Sequence, residues 1–91
     1  MTTRRHRYQV VLERPARRFI ERTRDRRLQA RIYEALERLA ENPLGHGAAA
    51  LQGYPGTYRL RVGMFRIIYS IRNDELIVLV LRISKRSDAH R

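Results

Sequence analysis

Cysteine is absent from the 91 residues, which excludes disulfides, thiolate-bound metals and thiol chemistry, and is compatible with a reducing compartment. Long apolar runs are missing too. The longest, Leu76 to Leu81, is far too short to span a bilayer, and the Arg-rich start leads into no apolar signal-peptide region. A soluble cytoplasmic protein is the expectation. Acid is scarce, with 9 Asp+Glu against 20 Lys+Arg and a net charge of +11. So strong a field on so small a body favours an anionic partner, whether nucleic acid, acidic protein or an anionic surface. All but one of the basic residues are arginine, Lys85 being the exception. Codon bias explains that preference as readily as phosphate recognition does, so the placement of the charge carries more than its type.

The placement is uneven. No Asp or Glu lies between Glu41 and Asp74, and inside that window sits Tyr58-Arg59-Leu60-Arg61-Val62-Gly63-Met64-Phe65-Arg66-Ile67-Ile68-Tyr69. A two-residue turn at Gly63-Met64, with Gly at the first central position as a type II′ turn prefers, pairs Val62 with Phe65, Arg61 with Arg66 and Leu60 with Ile67. Two cations then face each other across a ladder, with Arg59 two residues along the same face. Like charges directly opposite are destabilising, so the arrangement points to an anionic ligand, most simply a phosphate.

A chain this size forms one domain, here residues 1–91, and buries about 60 to 65% of its unfolded surface. Residues 1–6 read as a basic arm. Tyr8, Val10 and Leu12 then alternate as a short strand, and Pro15 suits the first turn of a helix whose apolar stripe is Ala16, Phe19, Ile20 and Thr23. Asp25 caps a longer helix carrying Leu28, Ile32, Ala35, Leu36 and Leu39, which Asn42-Pro43 stops. Residues 43–56 read as a loop, with one helical turn over Ala48 to Leu51. Three strands follow, the second and third joined at Asn73-Asp74 so that Arg72 meets Glu75 and Tyr69 meets Val78. The last strand is apolar on both faces and therefore central. The predicted fold is α+β: an N-terminal strand, a helical hairpin, then a three-stranded antiparallel meander in a curled antiparallel sheet.

By alternation Leu60, Val62, Ile67, Tyr69, Ile71, Val78 and Val80 share the core face, while Arg59, Arg61, Arg66 and Ile68 share the other. The tail holds Lys85, Arg86, His90 and Arg91, which the central strand can deliver to the arginine face. The window lacks the carboxylates and histidine clusters that a phosphate-processing metal needs, so neither metal nor cofactor is expected. A metal-free route remains for RNA, in which a ribose 2′-hydroxyl attacks its own adjacent phosphate. Arginine stabilises the charge of that transition state but moves protons poorly. Lys85 or His90 suits proton transfer better, and a lysine among Arg59, Arg61 and Arg66 has its pKa lowered by like charge. His6, in the arm, and His46, in the glycine loop, read as incidental. No helix-turn-helix or RNP-type motif is evident.

Leu51-Gln52-Gly53, the YRLRVG-x-FRIIY string and Lys85-Arg86-Ser87-Asp88 resemble the RelE/ParE superfamily of toxins from bacterial type II toxin–antitoxin systems, over nearly the whole chain. The resemblance implies a RelE-like fold. For the RelE branch it implies a ribosome-dependent endoribonuclease that cleaves messenger RNA on the 70S ribosome by metal-free 2′-hydroxyl attack and so inhibits translation. It also implies a cognate acidic antitoxin that occludes the site, and a complex that binds its own operator through that antitoxin. Arg59 and Arg61 stand where RelE-type enzymes place basic residues, Arg66 matches the family's phosphate-binding arginine and Arg86 its C-terminal arginine. His90 occupies the region of a tail tyrosine. The ParE branch instead inhibits DNA gyrase by protein binding. Retention of the hairpin basics and Arg86 favours the RelE branch.

Overall fold

In the computed structural model, which describes residues 7–85, strand β1 (Gln9–Leu12) leads into helix α1 (Arg14–Arg22), and helix α2 (Arg26–Glu41) follows after a short connector. Pro15 lies in the first turn of α1. The Asp25 carboxylate caps α2, accepting from the Arg27 and Leu28 amides at 2.9 and 3.3 Å, which satisfies two donors that a helix start leaves without partners. The predicted stripes are the ones that bury: Ala16 and Ile20 on α1, and Ile32, Ala35, Leu36 and Leu39 on α2. No helix among the described residues is long and apolar enough to cross a membrane.

Strands β2 (Ala48–Ala50), β3 (Thr57–Val62), β4 (Phe65–Arg72) and β5 (Ile77–Lys85) complete a sheet in the order β1-β5-β4-β3-β2. β5 lies inside the sheet, between β1 and β4, as its two apolar faces require. Two expectations give way here. The sheet is mixed rather than wholly antiparallel, because β1 runs parallel to β5 with Gln9 opposite Ile77 and Leu12 opposite Val80. Turn signals fix only strands adjacent in sequence, and β1 and β5 lie at opposite ends of the chain. The expected helical turn at Ala48 to Leu51 is instead β2, whose three alanines pair with Leu60, Arg59 and Tyr58. Pairing with the open side of β3 outweighs the helix preference of alanine.

The arginine hairpin folds as read. Val62 is opposite Phe65, Arg61 opposite Arg66 and Leu60 opposite Ile67. Gly63 has φ +59° while Met64 stays out of the positive region, as a type II′ turn demands. The second connection differs from its expected form. Neither Asn73 nor Asp74 takes positive φ. The loop runs over residues 73–76, closed by hydrogen bonds from the Glu75 amide to the Arg72 carbonyl (3.2 Å) and from the Leu76 amide to the Asn73 carbonyl (3.3 Å), with Leu76 at φ +54°. Arg72 therefore faces Ile77 rather than Glu75, and Tyr69 faces Val80 rather than Val78. The slip is two residues, so each side chain keeps its face.

A bulge then breaks the ladder. Tyr69 pairs with Val80 but Ile68 pairs with Arg82, leaving Leu81 as an extra residue in β5. Val78, Val80 and Ile83 consequently all reach the core, whereas unbroken alternation would turn Ile83 outward. Both helices cover this one face of the sheet. Phe19 of α1 meets Phe65 of β4 edge-on, with ring centroids 5.5 Å apart.

Tyr69 lies fully buried at the centre, its hydroxyl donating to the Pro43 carbonyl at 2.7 Å and its ring stacked on Tyr58. That bond ties the loop after α2 to the sheet. Burial pushes the phenol up to about 12, with Tyr58 adding to the shift. An unfolded chain ionises this group near pH 10, so the unfolded state sheds its proton first and stability falls as pH rises from about 10 to about 12. Below about pH 10 the contribution is complete. Tyr69→Phe is expected to flatten this alkaline limb in thermal melts and to cost about 1–3 kcal/mol at neutral pH, because the Pro43 carbonyl loses its donor. An alkaline slope unchanged in the variant places its cause in another group.

Candidate phosphate-binding face

The face of the sheet away from the helices carries the arginines in two cross-strand rows. Arg61 of β3, Arg66 of β4 and Ser84 of β5 form one, while Arg59, Ile68 and Arg82 form the next. The rows stand two residues apart, about 7 Å, and neighbouring members of a row about 5 Å. Arg61 and Arg82 are exposed and Arg59 and Arg66 half-buried. Among the described residues Arg59, Arg61 and Arg82 make no ion pair. The register puts four arginine positions on this face, with Arg82 also lining the groove beside α1, and guanidiniums can hold phosphates bidentately and neutralise the extra charge of a five-coordinate phosphorus.

Arg82 was not legible as a site residue. Counting by twos from Val78 and Val80 places it in the core, and only the Leu81 bulge returns it to the arginine face. An arginine where alternation demands an apolar side chain is itself the trace of such a bulge.

Lys85 moves the opposite way, which corrects its expected place among the arginines. It pairs with Phe65, itself opposite Val62, and so belongs to the helix face. There it borders a groove of about 690 Å³ floored by Phe19, Leu28, Phe65 and Ile83, with Arg18 and Arg22 of α1 on the rim and Arg82 touching its wall. Lys85 is therefore on the opposite face from Arg59, Arg61 and Arg66. Arg86 and His90 lie outside the described residues. No group of three or more His, Asp or Glu side chains that could hold a metal gathers among the described residues.

The family model for the ParE toxin of type II toxin–antitoxin systems matches residues 10–90. The chain belongs to this toxin family. Toxin RelG of Mycobacterium tuberculosis is 31% identical over 84 residues, covering 92% of this toxin and 97% of that one. Among solved structures, the toxin–antitoxin complex RelBE2 of M. tuberculosis superposes with a TM-score of 0.78 at 27% identity, covering 96% of this toxin and 100% of that chain. The isolated RelE toxin of Escherichia coli gives a TM-score of 0.74 at 18% identity over 91% of this toxin and 95% of that chain, a likeness of fold. The toxin is thus a member of the RelE/ParE superfamily with the RelE-like fold that its hairpin motif implied.

Proposed function

We propose that this toxin is a ribosome-dependent endoribonuclease that cuts messenger RNA without a metal and so stops translation. The observation that carries the reading is the Arg61–Arg66 pair, directly opposed on neighbouring strands with Arg59 and Arg82 beside it. A phosphate seated between two opposed guanidiniums can be gripped by both. In the reaction the 2′-oxygen bonds to the adjacent phosphorus and the bond to the 5′-oxygen breaks, leaving a 2′,3′-cyclic phosphate and a 5′-hydroxyl. Arg61 and Arg66 hold the charge on the phosphoryl oxygens, and Arg59 and Arg82 hold the neighbouring backbone.

The partner that restrains the toxin is an acidic antitoxin. The groove between α1 and the end of β5 supports this, since its apolar floor and cationic rim suit a segment that is apolar on one side and acidic on the other. The complex, on this reading, binds its operator through the antitoxin. A second reading, inhibition of DNA gyrase by protein binding, is favoured by the description of the matching family, which is that of ParE.

Purified ribosomes programmed with messenger decide between them. Cutting in the A site supports the nuclease, while intact messenger together with inhibited gyrase supercoiling replaces it with the second reading. Binding to single-stranded RNA should also weaken with salt by a log–log slope of roughly −0.7 per phosphate neutralised. Arg61→Ala and Arg82→Ala should each make the slope shallower by about one contact, and an unchanged slope in a folded variant moves the phosphates off this face.

A further inference from the structure

A guanidinium is a poor proton acceptor, so the four arginines leave the base unassigned. Lys85 faces the helices. A cavity of about 710 Å³ between the end of α2 and β3 brings a different group beside Arg61, for its wall includes His46 together with Arg61, Arg38, Glu41 and the core-facing Leu60. Register places His46 there independently. Ala48 is opposite Leu60, so the residues just before Ala48 run past Arg61, the next residue along β3.

The local backbone accounts for the placement. The Ala48 amide donates to the Gly45 carbonyl at 3.1 Å, closing a turn with His46 and Gly47 at its centre, and Gly47 has φ +92° while His46 does not take positive φ. That is the pattern of a type II turn, which needs glycine at its third position and presents the second residue at the corner. A Cβ on Gly47 would stand 3.2 Å from Leu60 Cδ1, so the turn is pressed against β3. His46 is exposed and borders the cavity.

We propose that His46 is the general base of the nuclease reaction, a role that rests on the nuclease reading above. As the O2′–P bond forms, the 2′-hydroxyl proton passes to the imidazole. The P–O5′ bond breaks, the 5′-oxygen takes a proton from water, and the imidazolium returns its own proton to solvent. Imidazole is the side chain suited to this exchange near neutrality. The charged groups that share the cavity with it are Arg38 and Glu41 at the end of α2 and Arg61 on β3.

The test follows single-turnover cutting of messenger on programmed ribosomes as pH is varied. The wild type should lose rate on the acid side, where a general base is held protonated. His46→Gln and His46→Asn should each lose about 10²-fold or more in rate, keep their affinity for programmed ribosomes and lose that acid limb. Free imidazole should restore part of the rate to His46→Gly. An acid limb that persists in His46→Gln, or a defect confined to binding, overturns the assignment. No cutting by the wild type sinks the nuclease reading and this inference together, whereas cutting with an unaltered profile in a folded His46→Gln sinks this inference alone.

Discussion

Arg66→Ala is expected to slow the cutting of ribosome-bound messenger by about 10²- to 10³-fold, the scale on which removing one transition-state charge contact acts. Arg61→Ala should do the same, and it is the cleaner variant. Arg61 is exposed and makes no ion pair among the described residues, so its removal should disturb the folded state little. Its melting temperature should stay level or rise slightly while activity collapses, a combination that a structural role cannot produce. Arg61→Lys should recover only part of the rate, because an ammonium keeps the charge but not the two-pronged grip on phosphate. The products report the chemistry directly. One fragment must end in a 2′,3′-cyclic phosphate or its hydrolysed 3′-phosphate, the other must begin with a 5′-hydroxyl, and chelators must leave the rate alone. Wild-type cutting by Arg61→Ala removes the opposed pair from the mechanism.

The hairpin that carries this pair was readable because every local signal agrees. Gly63 fixes a two-residue turn, the turn fixes register, and register together with alternation fixes the faces of Arg59, Arg61 and Arg66. Alternation is a count by twos, however, and it survives only errors of even length. The Asn73 loop shifted β5 by two residues, which changed the partner of Tyr69 and left the core list intact. The extra residue Leu81 is an odd step, and it exchanges the positions that counting assigns to the last turns of β5. That single residue explains why counting misplaces Arg82, and it brings Ser84, a buried residue, into the row of Arg61 and Arg66. Lys85 follows the same parity and faces α1. His46 was hidden for another reason. Its position depends on β2, a strand of three alanines that carries no strand signal of its own and forms only because β3 offers an open edge. Loops that dock by tertiary pairing leave little trace in composition, whereas the caps and stops of α1 and α2, being local chemistry, leave a clear one.

Two neighbours on β4 put these faces to the test. Ile67 is fully buried between Leu60 and Ile83, beneath the helices, while Ile68 stands half-buried among Arg59 and Arg82 on the other side. Ile67→Ala is expected to cost about 2–5 kcal/mol, since it removes apolar contacts and leaves a cavity in a layer held by both helices and the sheet. A domain of this size has only about 5–15 kcal/mol in hand, and loses roughly 4–8 °C of melting temperature per kcal/mol, so the variant should melt about 8 °C lower or more. Ile68→Ala, the same chemical change one residue on, should cost about 1 kcal/mol or less, because the site is open to solvent and no cavity forms. Equal losses at the two positions would mean that the strand does not present the faces described, and the arginine rows would fall with it. A ligand that binds only the folded toxin at a thousand times its Kd adds about 4 kcal/mol, enough to offset most of the Ile67→Ala loss. The destabilised variant should therefore recover a cooperative transition when antitoxin is present in excess, and the extent of recovery should rise with antitoxin concentration. Recovery independent of concentration would mean that the partner acts on some state other than the native fold.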